Sequence, residues 1–294
     1  MPWGKQEFVC RTVVRIAKQC YPSLQGSYIP IFYSRNASHM GMLDNKVILL
    51  TGASKGIGAA TAGILGAEGA SVIAHYNSDR SGAEAALADV PAGQKTFLGA
   101  DAGDMAQIDR LFAEAVAWKG RVDVVVLNAA IMLWTGGIED DIAAWDQAWD
   151  QQFRVNVLSP TRLMRHAVQH FKAQGGGALV TISSWAAQRG VTNPAMISYA
   201  ATKASVKAAA QTIARGYARD NIQSYIVAPG VVRTRMSEDF AALQGGEAIV
   251  SAGLAMGEWV PPTDIGHVVA FLSSGRAKHL SGSTVDVNGA SYVR

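Results

Sequence analysis

Short runs of apolar, largely β-branched residues alternate with longer stretches in which apolar positions return every three or four residues. The pattern starts near Lys46 and continues to the end of the chain. The apolar runs predict strands over 46–50, 71–75, 95–98, 123–127, 178–182, 222–228 and 284–287. Helical spacing predicts helices over 56–68, 105–118, 144–171, 199–219 and 264–273. Several strand candidates are apolar almost throughout, as strands of a parallel sheet with helices on both faces must be. Repeated βαβ units of this kind predict an α/β fold: one doubly wound, Rossmann-like parallel sheet of about seven strands.

Residues 1–42 differ from the rest. Val9, Val13, Ile16 and Cys20 recur near helical spacing with Arg11, Arg15 and Lys18 between them, the pattern of an amphipathic basic helix or transit segment. The plainer reading is a disordered or loosely docked extension, or a translation start upstream of Met40 or Met42, with the catalytic domain occupying 43–294. The net charge of +3 belongs to this stretch, because residues 1–43 hold five of the 26 Lys and Arg against the single acid Glu7. The remaining 21 basic and 22 acidic residues leave the body near neutral, without the basic face that nucleic acid requires. Cys10 and Cys20 lack C-x-x-C spacing and read as free thiols of a reducing, cytoplasmic compartment. No apolar run reaches the ~18 residues of a membrane span.

Directly after the first strand comes Thr51-Gly52-Ala53-Ser54-Lys55-Gly56-Ile57-Gly58, and a helix follows. Glycines here let the backbone turn sharply and approach a pyrophosphate, while free N–H groups at the helix start attract the anion. A glycine pattern alone is weak evidence; its position between strand and helix makes it a dinucleotide cradle rather than a mere turn. The T-G-x-x-x-G-x-G spacing resembles the short-chain dehydrogenase/reductase family, and the match runs over about 43–290. The resemblance implies the sheet order 3-2-1-4-5-6-7. It also implies adenine contacts at Asp101 and Ala102, a cofactor segment Asn128-Ala129-Ala130 after the fourth strand, and nicotinamide contacts from Pro229, Gly230, Val232 and Thr234 after the sixth. Leu127 and Ala130 depart from the family's usual segment, and 287–290 departs from its usual D-G-G ending.

Ser183-Ser184 ends the fifth strand, and Tyr199 and Lys203 lie four apart on the following helix, hence on one face. A tyrosine of ordinary pKa is a poor base near neutrality, and an adjacent ammonium favours its phenolate. Y-x-x-x-K alone is a common surface pair; following a serine-ended strand in a dinucleotide fold, it predicts acid/base chemistry by Tyr199, with Ser184 orienting the substrate oxygen. The resemblance implies that Asn156 holds a water for proton relay. Ser184 precedes Tyr199 by fifteen residues against the family's usual thirteen or so, which we read as a two-residue insertion around Gly190 and Pro194.

These residues predict an oxidoreductase moving hydride between a nicotinamide and a carbonyl or secondary alcohol. NADP(H) is the preferred cofactor and NAD(H) a possible one. The second strand ends without the carboxylate that would repel a 2′-phosphate; Tyr76 or Asn77 stands there, with Lys55 in the loop to attract it. A non-catalytic dinucleotide-binding regulator of the same fold and an NAD-preferring dehydrogenase remain as alternatives. Met132, Trp134, Trp185 and Met196, with the stretch over 236–261, suggest an apolar substrate pocket. The resemblance implies a homotetramer or dimer built partly on the helices over 144–171 and 199–219. His166 and His170 share helical spacing but lack further ligands, so no metal site is expected. Glu139-Asp140-Asp141 reads as a helix start.

Overall fold

The computed structural model describes residues 41–294, so all but the last two residues of the expected extension, including both cysteines, lie outside it. Seven parallel strands form one sheet: β1 (Val47–Leu50), β2 (Ser71–Tyr76), β3 (Lys95–Gly99), β4 (Val124–Leu127), β5 (Gly177–Ile182), β6 (Ile222–Pro229) and β7 (Thr284–Val287). Their order is β3-β2-β1-β4-β5-β6-β7, as the resemblance implied. β1 and β4 are buried at every residue, which explains why their sequences are continuous apolar runs rather than alternating ones.

The helices among the described residues are α1 (Gly56–Ala67), α2 (Arg80–Ala86), α3 (Met105–Lys119), α4 (Ile142–Phe153), α5 (Ser159–Gln174), α6 (Ala186–Arg189), α7 (Ile197–Gly216), α8 (Arg235–Leu243), α9 (Glu247–Ala252) and α10 (Pro262–Ser273). Strand periodicity sends Ile48 and Leu50 to one face, where Ala62, Leu65, Ile265 and Val269 of α1 and α10 cover them. Leu49 points to the other face and meets a layer that includes Ile108, Leu111, Leu163 and Val206 of α3, α5 and α7. Helix ends follow local chemistry. The Asp104 side chain accepts the N–H groups of Ala106 and Gln107 at the start of α3, and Gly120 at φ 73° ends it.

The helix expected over 144–171 is present as a continuous run with one change of pitch. α4 and α5 are joined by a π-helical turn, Arg154–Leu158. Pro160 has no N–H to give the Asn156 carbonyl four residues before it, and the Ser159 N–H reaches back five residues to Arg154 O. The segment after β6, expected only as a pocket cover, contains the short helices α8 and α9. Because every strand runs the same way, the loops after β1 to β6 gather at one edge of the sheet. No helix among the described residues is long and apolar enough to cross a membrane.

Candidate active site

A cavity of about 990 Å³ opens at that edge. One half is built by the glycine loop. Thr51 Oγ1 accepts the N–H groups of Asn128 (2.9 Å) and Ala129 (3.1 Å), while Asn128 Nδ2 donates to Thr51 O (2.9 Å) and Gly52 O (3.1 Å). The loops after β1 and β4 are thereby locked together. Gly52 takes φ 69°, and a Cβ on Gly58 would lie 1.9 Å from Gly52 O, so this backbone admits no side chain at its tightest point. α1 starts with no side-chain cap and no acid in its first turn, leaving its N–H groups to the cavity. A pyrophosphate and its nucleosides fit this donor set and cradle.

The cavity wall includes Gly52, Ser54, Lys55, Gly56, Ile57 and Gly58, then Asn77, Asp101 and Ala102, then Asn128, Ala129 and Ala130, and finally Pro229, Gly230, Val232 and Thr234. Tyr76 is the exception among the cofactor-site residues named from the sequence. It pairs with Gly99 of β3, and its ring lies over that glycine, where a Cβ would meet Tyr76 Cζ at 3.1 Å. Of the two residues expected there, Tyr76 or Asn77, it is Asn77 that lines the cavity.

His75 is a residue the sequence reading missed. It is buried, its Nδ1 accepts the Gly52 N–H at 3.1 Å, and its Nε2–H donates to Ala100 O at 2.9 Å. One imidazole ties the glycine loop to the end of β3, beside Asp101. Burial pushes its pKa below the ordinary value, which keeps the ring neutral and Nδ1 an acceptor. A histidine at the end of an apolar strand carries a sequence signal, but its partners are known only once β1, β2 and β3 are assembled.

The other half of the cavity is chemical. Ser184 Oγ accepts the Ala186 N–H at 3.1 Å, and its hydroxyl is the group that moderates the Tyr199 phenol. Tyr199 and Lys203 both line the cavity on α7, and the extra residues between Ser184 and Tyr199 are taken up by α6 and the turn at Pro194–Met196. Lys203 Nζ donates to Ile182 O at 2.9 Å and lies 5.8 Å from the Tyr199 ring centroid. Burial dominates both groups, pushing the phenol up to about 12 and the ammonium down to about 8. Burial is the largest influence on the Tyr199 phenol and holds it above its ordinary value, with Ser184 acting the other way. Tyr199 accordingly keeps its proton.

Asn156 is held by three side-chain hydrogen bonds. Its Oδ1 accepts the Ile131 N–H (2.8 Å), and its Nδ2 donates to Ile131 O (2.8 Å) and Thr202 Oγ1 (3.2 Å). It is buried, with its amide turned to the main chain after β4 and to α7, so its side chain clasps the site from behind and is not among the residues that face the cavity. Gln152 does similar work: Nε2 donates to Ser198 Oγ at 2.5 Å, next to Tyr199, and Oε1 accepts the Leu133 N–H at 3.4 Å. His170 Nε2 accepts the Val122 N–H, His166 bonds to Asp109, and no metal-binding cluster occurs among the described residues. Asp141 caps α4 through the Ala144 N–H.

The two pKa shifts predict how stability depends on pH. Lys203 titrates near 8 in the fold against 10.5 ordinarily, so below pH 8 its desolvation penalty is fully present, about 3 kcal/mol. Between pH 8 and 10.5 the unfolded chain holds the extra proton, and raising pH relieves the penalty. Tyr199 acts oppositely above pH 10, where the unfolded phenol ionises first and stability falls. Urea unfolding at pH 7 and 9.5 should show Lys203→Met more stable relative to the parent at pH 7, with the gap closing at 9.5. A gap independent of pH would refute the buried, destabilised ammonium.

Known proteins bear on the same residues. The family described as Enoyl-(Acyl carrier protein) reductase matches residues 52–290. An uncharacterised oxidoreductase of Methylorubrum extorquens is 33% identical over 260 residues, covering 85% of this chain and 99% of that protein. Among solved structures, a 3-ketoacyl-(acyl-carrier-protein) reductase from Brucella melitensis, complexed with NADH, is 25% identical with a TM-score of 0.75, covering 85% of this chain and 99% of that one. A short-chain dehydrogenase/reductase variant from Serratia marcescens is 28% identical with a TM-score of 0.76 at the same coverage. The sheet order, the glycine cradle and the extent of these matches lead to one assignment: the chain belongs to the short-chain dehydrogenase/reductase family of oxidoreductases.

Proposed function

We propose that the protein is an NADP(H)-dependent carbonyl reductase in which Tyr199 is the proton donor. The observation that carries this reading is that Ser184, Tyr199 and Lys203 line the same cavity as the glycine loop. Ser184 orients the carbonyl oxygen, and Tyr199 gives that oxygen its proton as the carbon accepts hydride; in oxidation the proton returns. When bound, the reduced nicotinamide supplies the hydride and leaves oxidised. Asn156 and Gln152 hold the loop after β4 against α7, which fixes where the phenol stands. Met132, Trp134, Trp185 and Met196 line the substrate side and favour an apolar or ring-bearing carbonyl compound. An assembly of copies through α4 and α5 is supported by the half-buried stack Trp145, Trp149 and Phe153 beside exposed Ile142 and Leu158.

A panel of ketones, aldehydes and alcohols followed by absorbance of the reduced nicotinamide, with each cofactor in turn, tests the reading. No turnover of any member would favour the non-catalytic regulator. Cofactor choice rests on Lys55, exposed on the cavity rim, and Asn77, which stands where a carboxylate would repel a 2′-phosphate. Lys55→Ala is expected to weaken NADPH binding by ~1–2 kcal/mol and NADH hardly at all. Asn77→Asp should shift preference toward NADH. Equal or better catalytic efficiency of the parent with NADH would overturn the NADP(H) assignment and leave the tyrosine chemistry intact.

A further inference from the structure

Most charges lining the cavity have a visible partner. Lys203 donates to Ile182 O, Arg233 pairs with Glu247 at 2.9 Å, and Arg235 pairs with Asp239 at 2.9 Å. Asp79 caps α2, and Asp101 accepts the Gly103 N–H at 2.8 Å. Glu238 sits in the first turn of α8, where the helix N–H groups favour negative charge. Lys55 belongs to the glycine loop, where it is assigned to the cofactor. Arg189 is the remaining cation: it lines the substrate half, and among the described residues it makes no ion pair with a carboxylate.

Its placement is specific. Arg189 is the last residue of α6, only a few residues from Ser184 along the chain, and its guanidinium lies over the Trp185 ring, 4.6 Å from the centroid. A guanidinium held by its face keeps its edge N–H groups for a planar or tetrahedral anion. In the same cavity, Trp134 and Phe240 stack at 6.0 Å and, with Met132 and Met196, offer apolar surface. Besides Lys55 of the glycine loop and Lys203 on the Ile182 carbonyl, the cavity therefore combines a proton donor, an apolar wall and one further cation without a carboxylate partner.

We propose that Arg189 is a specificity-determining residue that binds an anionic group on the substrate. The preferred substrate is a carbonyl compound with its oxygen at Ser184 and Tyr199, an apolar body along Trp134 and Phe240, and a carboxylate or phosphate on Arg189. This rests on the carbonyl-reductase reading for the position of the carbonyl, and on the charge arrangement alone for the anion.

The test uses three matched aryl ketones carrying a terminal carboxylate, its methyl ester, or a terminal phosphate. Binding to the full chain is measured by calorimetry with NADP⁺ present, and reduction is measured in parallel with NADPH. The parent should bind at least one anionic ketone about tenfold or more tighter than the ester, the gain of a charge-assisted hydrogen bond, with the tighter arm identifying the anion. Arg189→Ala should bring that ligand down to the ester's affinity while leaving the ester within about twofold. Arg189→Lys should restore phosphate binding better than carboxylate binding, because a point charge replaces a planar fork. A parent that binds the ester as tightly as both anions, or binds none of the three, overturns the proposal. So does an Arg189→Ala variant that weakens all three alike, which would mark packing on Trp185. An anion preference in binding without reduction of any ketone would sustain this inference and defeat the carbonyl-reductase reading; reduction without an anion preference would do the reverse.

Discussion

Tyr199→Phe should lower kcat by a factor of about 10² or more while leaving the affinity for the dinucleotide within about twofold. The substitution deletes the phenolic oxygen and preserves the ring, and Tyr199 belongs to α7 rather than to the glycine loop. The loss should be in turnover rather than in folding, since the substitution removes only a hydroxyl that is costly to bury. Single-turnover reduction, paired with titration of cofactor fluorescence, separates the two effects. Activity within tenfold of the parent would end the case for Tyr199 as proton donor, and a parallel collapse of cofactor binding would recast it as a structural residue.

The second large effect is expected at Gly58. A Cβ there would stand 1.9 Å from Gly52 O and 2.7 Å from Asn128 Nδ2, between a main-chain carbonyl and the amide that locks the loops after β1 and β4. Neither neighbour can retreat without breaking the lock. Gly58→Ala should therefore cost ~3 kcal/mol of stability, at the upper end of overpacking effects, and reduce dinucleotide affinity more than a hundredfold. Gly216→Ala at the end of α7 is the control, because a Cβ there meets nothing within 4 Å and the backbone is helical; it should be neutral or slightly stabilising. Urea midpoints and cofactor titrations on both variants decide the matter. A Gly58→Ala protein with parental stability and affinity would show that the loop yields where the geometry says it cannot.

Much of the architecture was legible along the chain because the evidence for it is local. Val124–Leu127 is apolar at every position, and only a strand covered on both faces demands that. The glycine loop announced itself through spacing, and the cavity gathers nearly every residue named from it. The misses share a cause: each depends on a neighbour distant in sequence. Tyr76 and Asn77 are adjacent, and which of them lines the cavity depends on the pairing of Tyr76 with Gly99 on β3. His75 acquired its meaning from Gly52 and Ala100. Spacing correctly put Lys203 on the face of Tyr199, but could not reveal that its ammonium turns to Ile182 O or that burial governs both titrations. The helices α8 and α9 are short and carry exposed apolar residues such as Leu243 and Ile249, so no buried stripe marked them.

The π-helical turn between α4 and α5 sets the angular phase of everything downstream. Each residue of an α-helix advances the direction of its side chain by about 100°. Loss of one residue from 154–158 would thus swing Leu163, Ala167 and Phe171 away from the sheet while leaving the chain helical throughout. The turn works like the offset in a crankshaft: the half that clasps the loop after β4 and the half that covers the sheet are aimed separately, though they belong to one nearly continuous rod. A lineage could re-aim Asn156 by moving or resizing this offset without altering a single strand.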